Sequence, residues 1–325
     1  MRSTGVSGSY EITKLGIVVV YLLNEEDGGL LDLHLSSIDR YTNLPYTIYG
    51  SVNRLCPKFL PELVNHPHVE ICRYPSTGLR GYQEHAYYMD RLVDTAVGDG
   101  CSHIVMLNVD SFPVRKAWAQ TLASYLDERC VLAAVKRVEN YDNKPHPSCI
   151  FFRRNFYLQY KPSLIVSKEE LQSPQGRRYL AESGSIHDTG VGYGFKLFSK
   201  GLDWHPLLRS NRAEDHYIIA SVYGDLIFHL GGATREKKIH LPERRLIDER
   251  MSKTPVRLMS RMIRLLAAVA SESTGRKLER LRLSLLFPAA DKDLKTSARA
   301  YAHARQQLLD DADGYLEYLR FGGQD

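Results

Sequence analysis

Two oxygen-bearing side chains, Asn108 and Asp110, follow an apolar segment and are separated by one residue. The segment 103–107 is rich in β-favouring residues, so it predicts a buried strand that ends at this pair. Amide and carboxylate oxygens suit Mg²⁺ and Mn²⁺, which are hard cations that bind phosphates at the same time. A surface turn is the other interpretation, because Asn and Asp favour turns. These residues alone leave a metal site and a plain turn both open.

Other side chains have the chemistry to act at such a site. His229 ends a predicted strand before Gly-Gly, and a neutral imidazole nitrogen suits Mn²⁺, although a buried core histidine is the other interpretation. Asp188 precedes a predicted helix at 189–199. Its carboxylate can take a proton from an attacking hydroxyl or can cap that helix. Glu214 and Asp215 form a competing acid pair in a predicted polar loop and rank second.

The composition is that of a soluble globular protein with a large core. The chain has 325 residues, of which 43% are hydrophobic and 25% charged, which suits one α/β domain with or without an appendage. Its five cysteines are odd in number and include no C-x-x-C pair, which favours reduced thiols over a disulfide framework. No signal-peptide stretch or membrane-spanning apolar run is present in the sequence. We therefore expect a cytoplasmic protein.

The order of the predicted elements indicates the fold class. Strands and helices alternate four times within residues 15–113, which predicts an α/β fold with a mostly parallel sheet sandwiched by helices. In such sheets ligands bind beyond the carboxyl ends of the strands, where Asn108 and Asp110 fall.

Further along the chain the pattern predicts more elements of both kinds. We expect a helix at 117–129 and a strand over 148–160 that presents the pair Arg153 and Arg154 to solvent. From about residue 242 the chain reads as helical, so a C-terminal helical appendage is predicted.

Positive charge is concentrated near the C-terminus. Residues 235–282 contain 14 Lys or Arg against six acids, a net charge of +8, whereas the rest of the chain carries −3. Within this region Arg257, Arg261 and Arg264 recur at helical spacing, and apolar side chains lie largely on the other side. This pattern predicts that residues 253–285 contact a second copy of the chain or, as a peripheral helix, the inner face of an anionic membrane.

Two other interpretations of this basic region bear on its partners. A helix that packs on the preceding α/β part and shows its arginines to water has the same pattern. Nucleic acid is not expected, because the apolar face is too wide for a helix that tracks phosphates and no reading motif is present.

Five segments, in this order, resemble the motifs of nucleotide-sugar glycosyltransferases of the GT-A fold, with family 2 enzymes the nearest likeness. The likeness spans residues 15 to 235. GIVVVYLLNEED resembles the first nucleotide-binding strand and turn, and LNVDSF resembles the DxD region. Between them, GLRGYQEHAYYMDRL stands where those enzymes have a phosphate-facing glycine segment. HDTGVGYGFKL resembles the acceptor-side acid motif, and IFHLGGATR resembles the late histidine of the metal site.

The resemblance implies a GT-A-like, Rossmann-type fold and an enzyme that moves a sugar from a nucleotide-activated donor to a saccharide or other hydroxyl acceptor. The reaction would be metal-assisted and inverting, with Mn²⁺ or Mg²⁺ and a UDP or GDP sugar. The predicted organisation is a tail at 1–14, a catalytic domain at 15–240 and a helical region at 241–325. Within the catalytic domain, 15–113 would bind the nucleotide and 114–240 the acceptor.

The resemblance also implies a role for each candidate residue. Asp110 and His229 would hold the metal, Asn108 would bind the ion weakly or the donor ribose, and Asp188 would be the general base. The remaining residues would bind the donor: Tyr21 and Asn53 its base and ribose, Arg80 and Gly81 its phosphates.

One departure keeps other functions open. The family pattern usually has Asp at the first DxD position, where this chain has Asn108, and the lost charge weakens metal binding. A non-catalytic nucleotide-sugar-binding or scaffold relative is therefore one alternative. A sugar-phosphate nucleotidyltransferase is another, although its usual basic glycine-rich loop near the N-terminus is absent. The dinucleotide fingerprint G-x-G-x-x-G is also absent, which disfavours a dehydrogenase or a Rossmann methyltransferase.

Overall fold

The computed structural model describes residues 11–23, 25–140, 143–183, 188–213, 216–232, 254–269 and 290–322, with single positions 274, 278 and 281. The predicted acid pair Glu214 and Asp215 and most of the predicted tail lie outside the described residues.

Ten strands and eleven helices carry the fold of the described residues. The strands are β1 (Leu15–Val20), β2 (Tyr46–Ser51), β3 (Val69–Cys72), β4 (His103–Asn108), β5 (Ser111–Pro113), β6 (Cys130–Val135), β7 (His146–Arg153), β8 (Asp203–Leu207), β9 (Ser221–Tyr223) and β10 (Ile227–His229). The helices are α1 (Gly28–Tyr41), α2 (Leu60–Asn65), α3 (Tyr82–Gly98), α4 (Trp118–Ser124), α5 (Arg154–Tyr160), α6 (Lys168–Gln172), α7 (Pro174–Ser183), α8 (Val191–Lys200), α9 (Thr254–Val269), α10 (Ala290–Asp310) and α11 (Ala312–Phe321).

Seven strands form one sheet in the order β3-β2-β1-β4-β7-β6-β8. Neighbours are parallel except on the two sides of β7, which runs antiparallel to β4 and β6. The predicted α/β class and the mostly parallel sheet are confirmed. A second, antiparallel sheet has the order β5-β10-β9, and the sequence patterns did not predict it.

Strand β1 lies within the sheet because both of its faces are apolar. Leu15, Ile17 and Val19 enter one core, which includes residues of α1, α2 and α4. Val18 and Val20 enter a second core with residues of α3, α5 and α8. Alternate side chains of a strand point to opposite faces, so the continuous run LGIVVV requires cover on both sides. Helix layers on both faces of the sheet supply that cover.

The last two helices, α10 and α11, pack against the small sheet. Their apolar side chains share a core cluster with Leu30 of α1 and with residues of β5, β9 and β10. The C-terminal helical region is thus present, while the predicted boundaries at residues 14, 113 and 240 stay predictions. In the described part of the chain, every helix is too short or too polar to cross a membrane.

Two predicted elements were wrong in extent. The strand predicted over 148–160 ends at Arg153, and α5 begins at Arg154. These arginines do not form a solvated strand face, because their guanidinium groups donate to backbone carbonyls of the 126–127 loop and of Val97. The helix predicted at 117–129 ends at Ser124. Beyond that end, the Asp127 carboxylate accepts from two backbone N–H groups and forms a turn instead.

Candidate functional site

The candidate site lies where the large sheet meets the small one. Strand β4 ends at Asn108, and after two residues the chain enters β5, whose Ser111 pairs with His229 of β10. The backbone N–H of Leu230 donates to the carbonyl of Asp110 over 2.9 Å. This register brings the side chains of Asp110 and His229 together, although they are 119 positions apart in the sequence.

Asp110 and His229 are both buried, with 3% and 4% of their surface exposed. The imidazole Nε2 lies 3.6 Å from the carboxylate Oδ1. This separation exceeds a normal hydrogen bond and suits two ligands that share one ion. The side-chain oxygen of Asn108 is buried and accepts no hydrogen bond from the residues that the structure describes.

These groups fit a divalent ion that takes its other ligands from a bound phosphate or water. A carboxylate, an imidazole and an amide oxygen are a set suited to Mn²⁺. Within the described residues, no three His, Cys, Asp or Glu side chains form a metal-binding group. Asp110 and His229, with Asn108 as a neutral third group, would therefore hold such an ion incompletely on their own.

A cavity of about 310 Å³ opens at this point. Five of the eight predicted site residues line it, namely Gly81, Asn108, Asp110, Asp188 and His229. The other lining residues are Leu22, Tyr82, His85, Arg137, His146, Pro147, Thr189, Gly231 and Gly232.

The structure does not bring Tyr21, Asn53 and Arg80 into that lining. Tyr21 is fully buried, and its ring lies so close to Gly50 that a Cβ there would be 2.7 Å from it. The side-chain amide of Asn53 donates to the Tyr74 carbonyl and accepts from the Tyr74 backbone N–H. It therefore joins the loops after β2 and β3. Arg80 is exposed. Their donor-binding roles stay predictions.

Gly81 forms the sharp turn into α3. Its φ of 60° lies in the left-handed region, which glycine adopts without steric penalty. Gly81, Tyr82 and His85 all line the cavity, so the N-terminal end of this 17-residue helix faces it. The unpaired N–H groups and the dipole of such an end favour an anion.

Asp188 is held by a buried lysine. The Lys144 ammonium donates to Asp188 Oδ2 over 3.1 Å and to the Thr189 carbonyl over 3.0 Å. The Lys144 side chain is 3% exposed, whereas that of Asp188 is 45% exposed. The backbone N–H of Thr189 donates to the other carboxylate oxygen. Asp188 is not the cap of the following helix, because α8 begins at Val191 with Gly190 as its N-cap.

The turn at Gly190 explains part of the motif DTGVGYG. Gly190 has a φ of 91°, and a Cβ on it would lie 2.0 Å from the carbonyl oxygen of Pro145. A Cβ on Gly192 would lie 2.0 Å from the carbonyl oxygen of Ser163. Gly190 lets this turn approach the loop that carries Lys144, whereas Gly192 lets it approach the segment that follows α5. The contact at Gly190 positions Asp188.

Three cavity residues were not predicted from the sequence: His85, Arg137 and His146. Burial lowers the pKa of His85 to about 4, although the nearby carboxylates of Asp188 and Asp110 act in the opposite direction. This imidazole is neutral at pH 7. Arg137 is buried and follows β6, whose carboxyl end lies at the same sheet edge as that of β4. That shared edge was a usable signal for Arg137.

His146 begins β7 and stands beside His229, with ring centroids 5.5 Å apart. The backbone N–H of Ser148 donates to His146 Nδ1 over 3.2 Å. In the neutral ring Nε2 therefore carries the proton, and His146 differs from a metal ligand that offers a lone pair at that atom.

No protein-family model matches the chain, and no curated protein matches its sequence. Solved structures do match. Mouse xyloside xylosyltransferase 1 in its apo form matches with a TM-score of 0.38 and 12% identity, over 60% of this chain and 85% of that chain. The glycosyltransferase GlyE in Streptococcus pneumoniae TIGR4 matches with a TM-score of 0.37 and 11% identity, over 60% of this chain and 45% of that chain. The chain is thus similar in structure, at low sequence identity, to two glycosyltransferases.

Proposed function

We propose that this chain is a glycosyltransferase that moves a sugar from a nucleotide-activated donor to a hydroxyl acceptor, with inversion and with Mn²⁺ or Mg²⁺. The observation that carries the proposal is one cavity that contains both the Asp110–His229 pair and the Asp188 carboxylate. The order of the sequence motifs supports the same reaction. UDP or GDP remains our expectation for the nucleotide.

The donor diphosphate would lie between the Asp110–His229 pair and the N-terminal end of α3. The helix end and the buried Arg137 both favour phosphate oxygens, and an arginine can form a paired hydrogen-bond fork with them. The carboxylates of Asp110 and Asp188 also line the cavity, so a diphosphate would meet like charge there. A divalent ion, when bound, would offset this repulsion and the charge that grows on the leaving diphosphate.

Asp188 would remove the proton from the acceptor hydroxyl while the sugar carbon is attacked. An ionised carboxylate accepts about four hydrogen bonds. Within the described part of the chain, Asp188 accepts three, from Lys144 Nζ, Thr189 N and Thr189 Oγ1, so acceptor capacity remains for the hydroxyl. Lys144 would act as a positioning residue, because it holds both the carboxylate and the turn that carries it.

His85 is a second candidate for the base. Its imidazole is neutral at pH 7 and lines the same cavity. We rank Asp188 first because 45% of its side chain is exposed to an incoming acceptor.

A screen of nucleotide sugars tests the proposal. The full chain is heated with each UDP or GDP sugar, with and without Mn²⁺, and thermal shifts are compared. Any pair that stabilises the chain is then incubated with it, and released nucleotide is identified by chromatography. Slow release of a nucleoside diphosphate that depends on Mn²⁺ is expected. Release of pyrophosphate from a nucleoside triphosphate and a sugar phosphate would identify a nucleotidyltransferase instead. Binding without any turnover would indicate a non-catalytic relative.

A further inference from the structure

Helix α9 (Thr254–Val269) turns large apolar side chains toward solvent. Leu258, Met262 and Leu265 are 62%, 56% and 65% exposed, and Met259 and Leu266 are about half exposed. Ile263 of the same helix is buried, with 7% exposure. Among the described side chains of α9, the large apolar ones other than Ile263 are therefore open to solvent.

The exposed residues form one continuous face. At about 100° of rotation per residue, the arc from Leu265 through Leu258, Met262 and Leu266 to Met259 covers about 120° of the helix. Ile263 falls about 40° outside that arc by the same rotation. This geometry separates the buried side of the helix from the side that faces solvent.

The charge on α9 has one sign. The sequence of Thr254–Val269 contains three arginines and no Asp or Glu. By helical rotation, positions 257, 261 and 264 fall in one angular sector, next to the Leu265–Leu258 edge of the apolar face. Arg261 is exposed. An apolar face bordered by arginines matches an anionic lipid surface, in which acyl chains lie just below phosphate headgroups.

We infer that α9 docks this chain on an anionic lipid surface, lying in the plane of the headgroups with Leu258, Met262 and Leu265 in the acyl boundary. The helix has 16 residues, and its arginines oppose insertion across the bilayer. The charge favours lipid over a second copy of the chain, because two α9 helices that met face to face would bring six arginines together. This inference does not depend on the proposed reaction.

Sedimentation of the full chain with vesicles tests the docking without any substrate. The probes are vesicles of phosphatidylcholine alone and vesicles with about 30% phosphatidylserine added, a content that gives a negative surface potential. The chain should sediment with the second type, and added salt should weaken this binding. Arg261→Ser should reduce partitioning roughly fivefold, since one basic residue near such a surface contributes about that factor. The triple variant Leu258→Gln, Met262→Gln, Leu265→Gln should reduce it roughly tenfold or more.

Matched controls keep the test specific. Val64→Gln changes an exposed apolar residue on α2, and Arg299→Gln changes an exposed arginine on α10. Both controls should sediment like the original chain. No sedimentation with the anionic vesicles, or equal sedimentation of the α9 variants, would overturn the inference. So would a dimer in light scattering that the α9 triple variant dissociates and that shows no vesicle binding.

Discussion

The buried ammonium of Lys144 lies 3.1 Å from the carboxylate of Asp188, at the end of a turn packed on the loop of Lys144. The Lys144 side chain is closed to solvent, whereas the Asp188 carboxylate is open to the cavity. Asp188 is therefore presented to the cavity by a fixed support, and this arrangement is what a general base needs.

A double-mutant cycle tests the coupling of this pair. Lys144→Met, Asp188→Asn and the double variant are unfolded with urea, and the free energies of unfolding are compared. Because Lys144 is buried, we expect an interaction free energy of about 1–3 kcal/mol. The same cycle on the exposed pair Arg178 and Glu182, which contact over 2.7 Å, should give about 0.3–0.5 kcal/mol. Equal values for the two pairs would show that Lys144 does not hold Asp188.

Gly190 should not tolerate a side chain. Gly190→Ala adds a Cβ that meets the Pro145 carbonyl and also keeps a left-handed backbone. We expect a loss of about 3–5 kcal/mol in the free energy of unfolding, measured by urea titration. Gly201→Ala is the matched control, because Gly201 has a φ of 64° and no atom within 4 Å of an added Cβ. It should lose about 1–2 kcal/mol, which is the backbone contribution alone. Similar losses in both variants would contradict the close approach at Gly190.

The stability of the fold should fall on acidification, with a contribution from His103. Burial, and secondarily the charge of Arg153, lowers the pKa of His103 to about 4. The unfolded chain, with a histidine pKa of about 6.5, binds more protons than the folded chain between these values. This contribution is therefore fully present above pH 6.5 and is lost as the pH falls toward 4.

The His103→Phe variant isolates that contribution. Phenylalanine keeps the stacking on Phe151, where the His103 ring centroid is 5.4 Å away, and removes the titration. In thermal melts from pH 7 to 4, the free energy of unfolding of this variant should fall less than that of the original chain. The difference should reach up to about 3 kcal/mol at pH 4. His303→Gln, at an exposed position on α10, is the control. An unchanged slope in His103→Phe would refute the assignment.

Helix α10 should stabilise the start of α1 through Arg305, because Asp27 is the N-cap residue of α1. The Arg305 guanidinium lies 3.2 Å from Asp27, whose side chain is 1% exposed. Arg305→Met leaves that carboxylate without this charge, so we expect a loss of about 3 kcal/mol in urea unfolding. Arg40→Met breaks an exposed pair with Asp313 of α11 and should cost less than about 1 kcal/mol. A loss of that small size in Arg305→Met would mean that α10 adds little through this contact.

Local sequence patterns predicted the parts of the site that depend on one strand end. The apolar run of β4 followed by Asn108 and Asp110 was sufficient to locate them at the carboxyl edge of the sheet. The approach of His229 to Asp110 depends on the short antiparallel strands β5 and β10. Each has three residues, which is too few for a periodicity signal.

Long-range contacts explain what the sequence patterns missed. His146 enters the cavity because β7 pairs antiparallel with β4, and no local pattern encodes that pairing. Arg153 was expected in solvent, but the loop of Leu126 and Asp127 brings carbonyl acceptors to it. The sequence does not single out Lys144, since nothing near it indicates a carboxylate partner 44 positions away.

The central claim is that Asp110 acts on a metal-bound donor, and one rate comparison tests it most directly. The release of nucleoside diphosphate is measured for the original chain, Asp110→Asn and the exposed control Glu70→Gln, with saturating Mn²⁺ and the nucleotide sugar that stabilises the chain most. All three proteins should melt cooperatively. We predict that Asp110→Asn is slower by roughly a hundredfold or more, because the ion that would offset the developing charge loses its carboxylate ligand. Equal rates in Asp110→Asn and the original chain would contradict it.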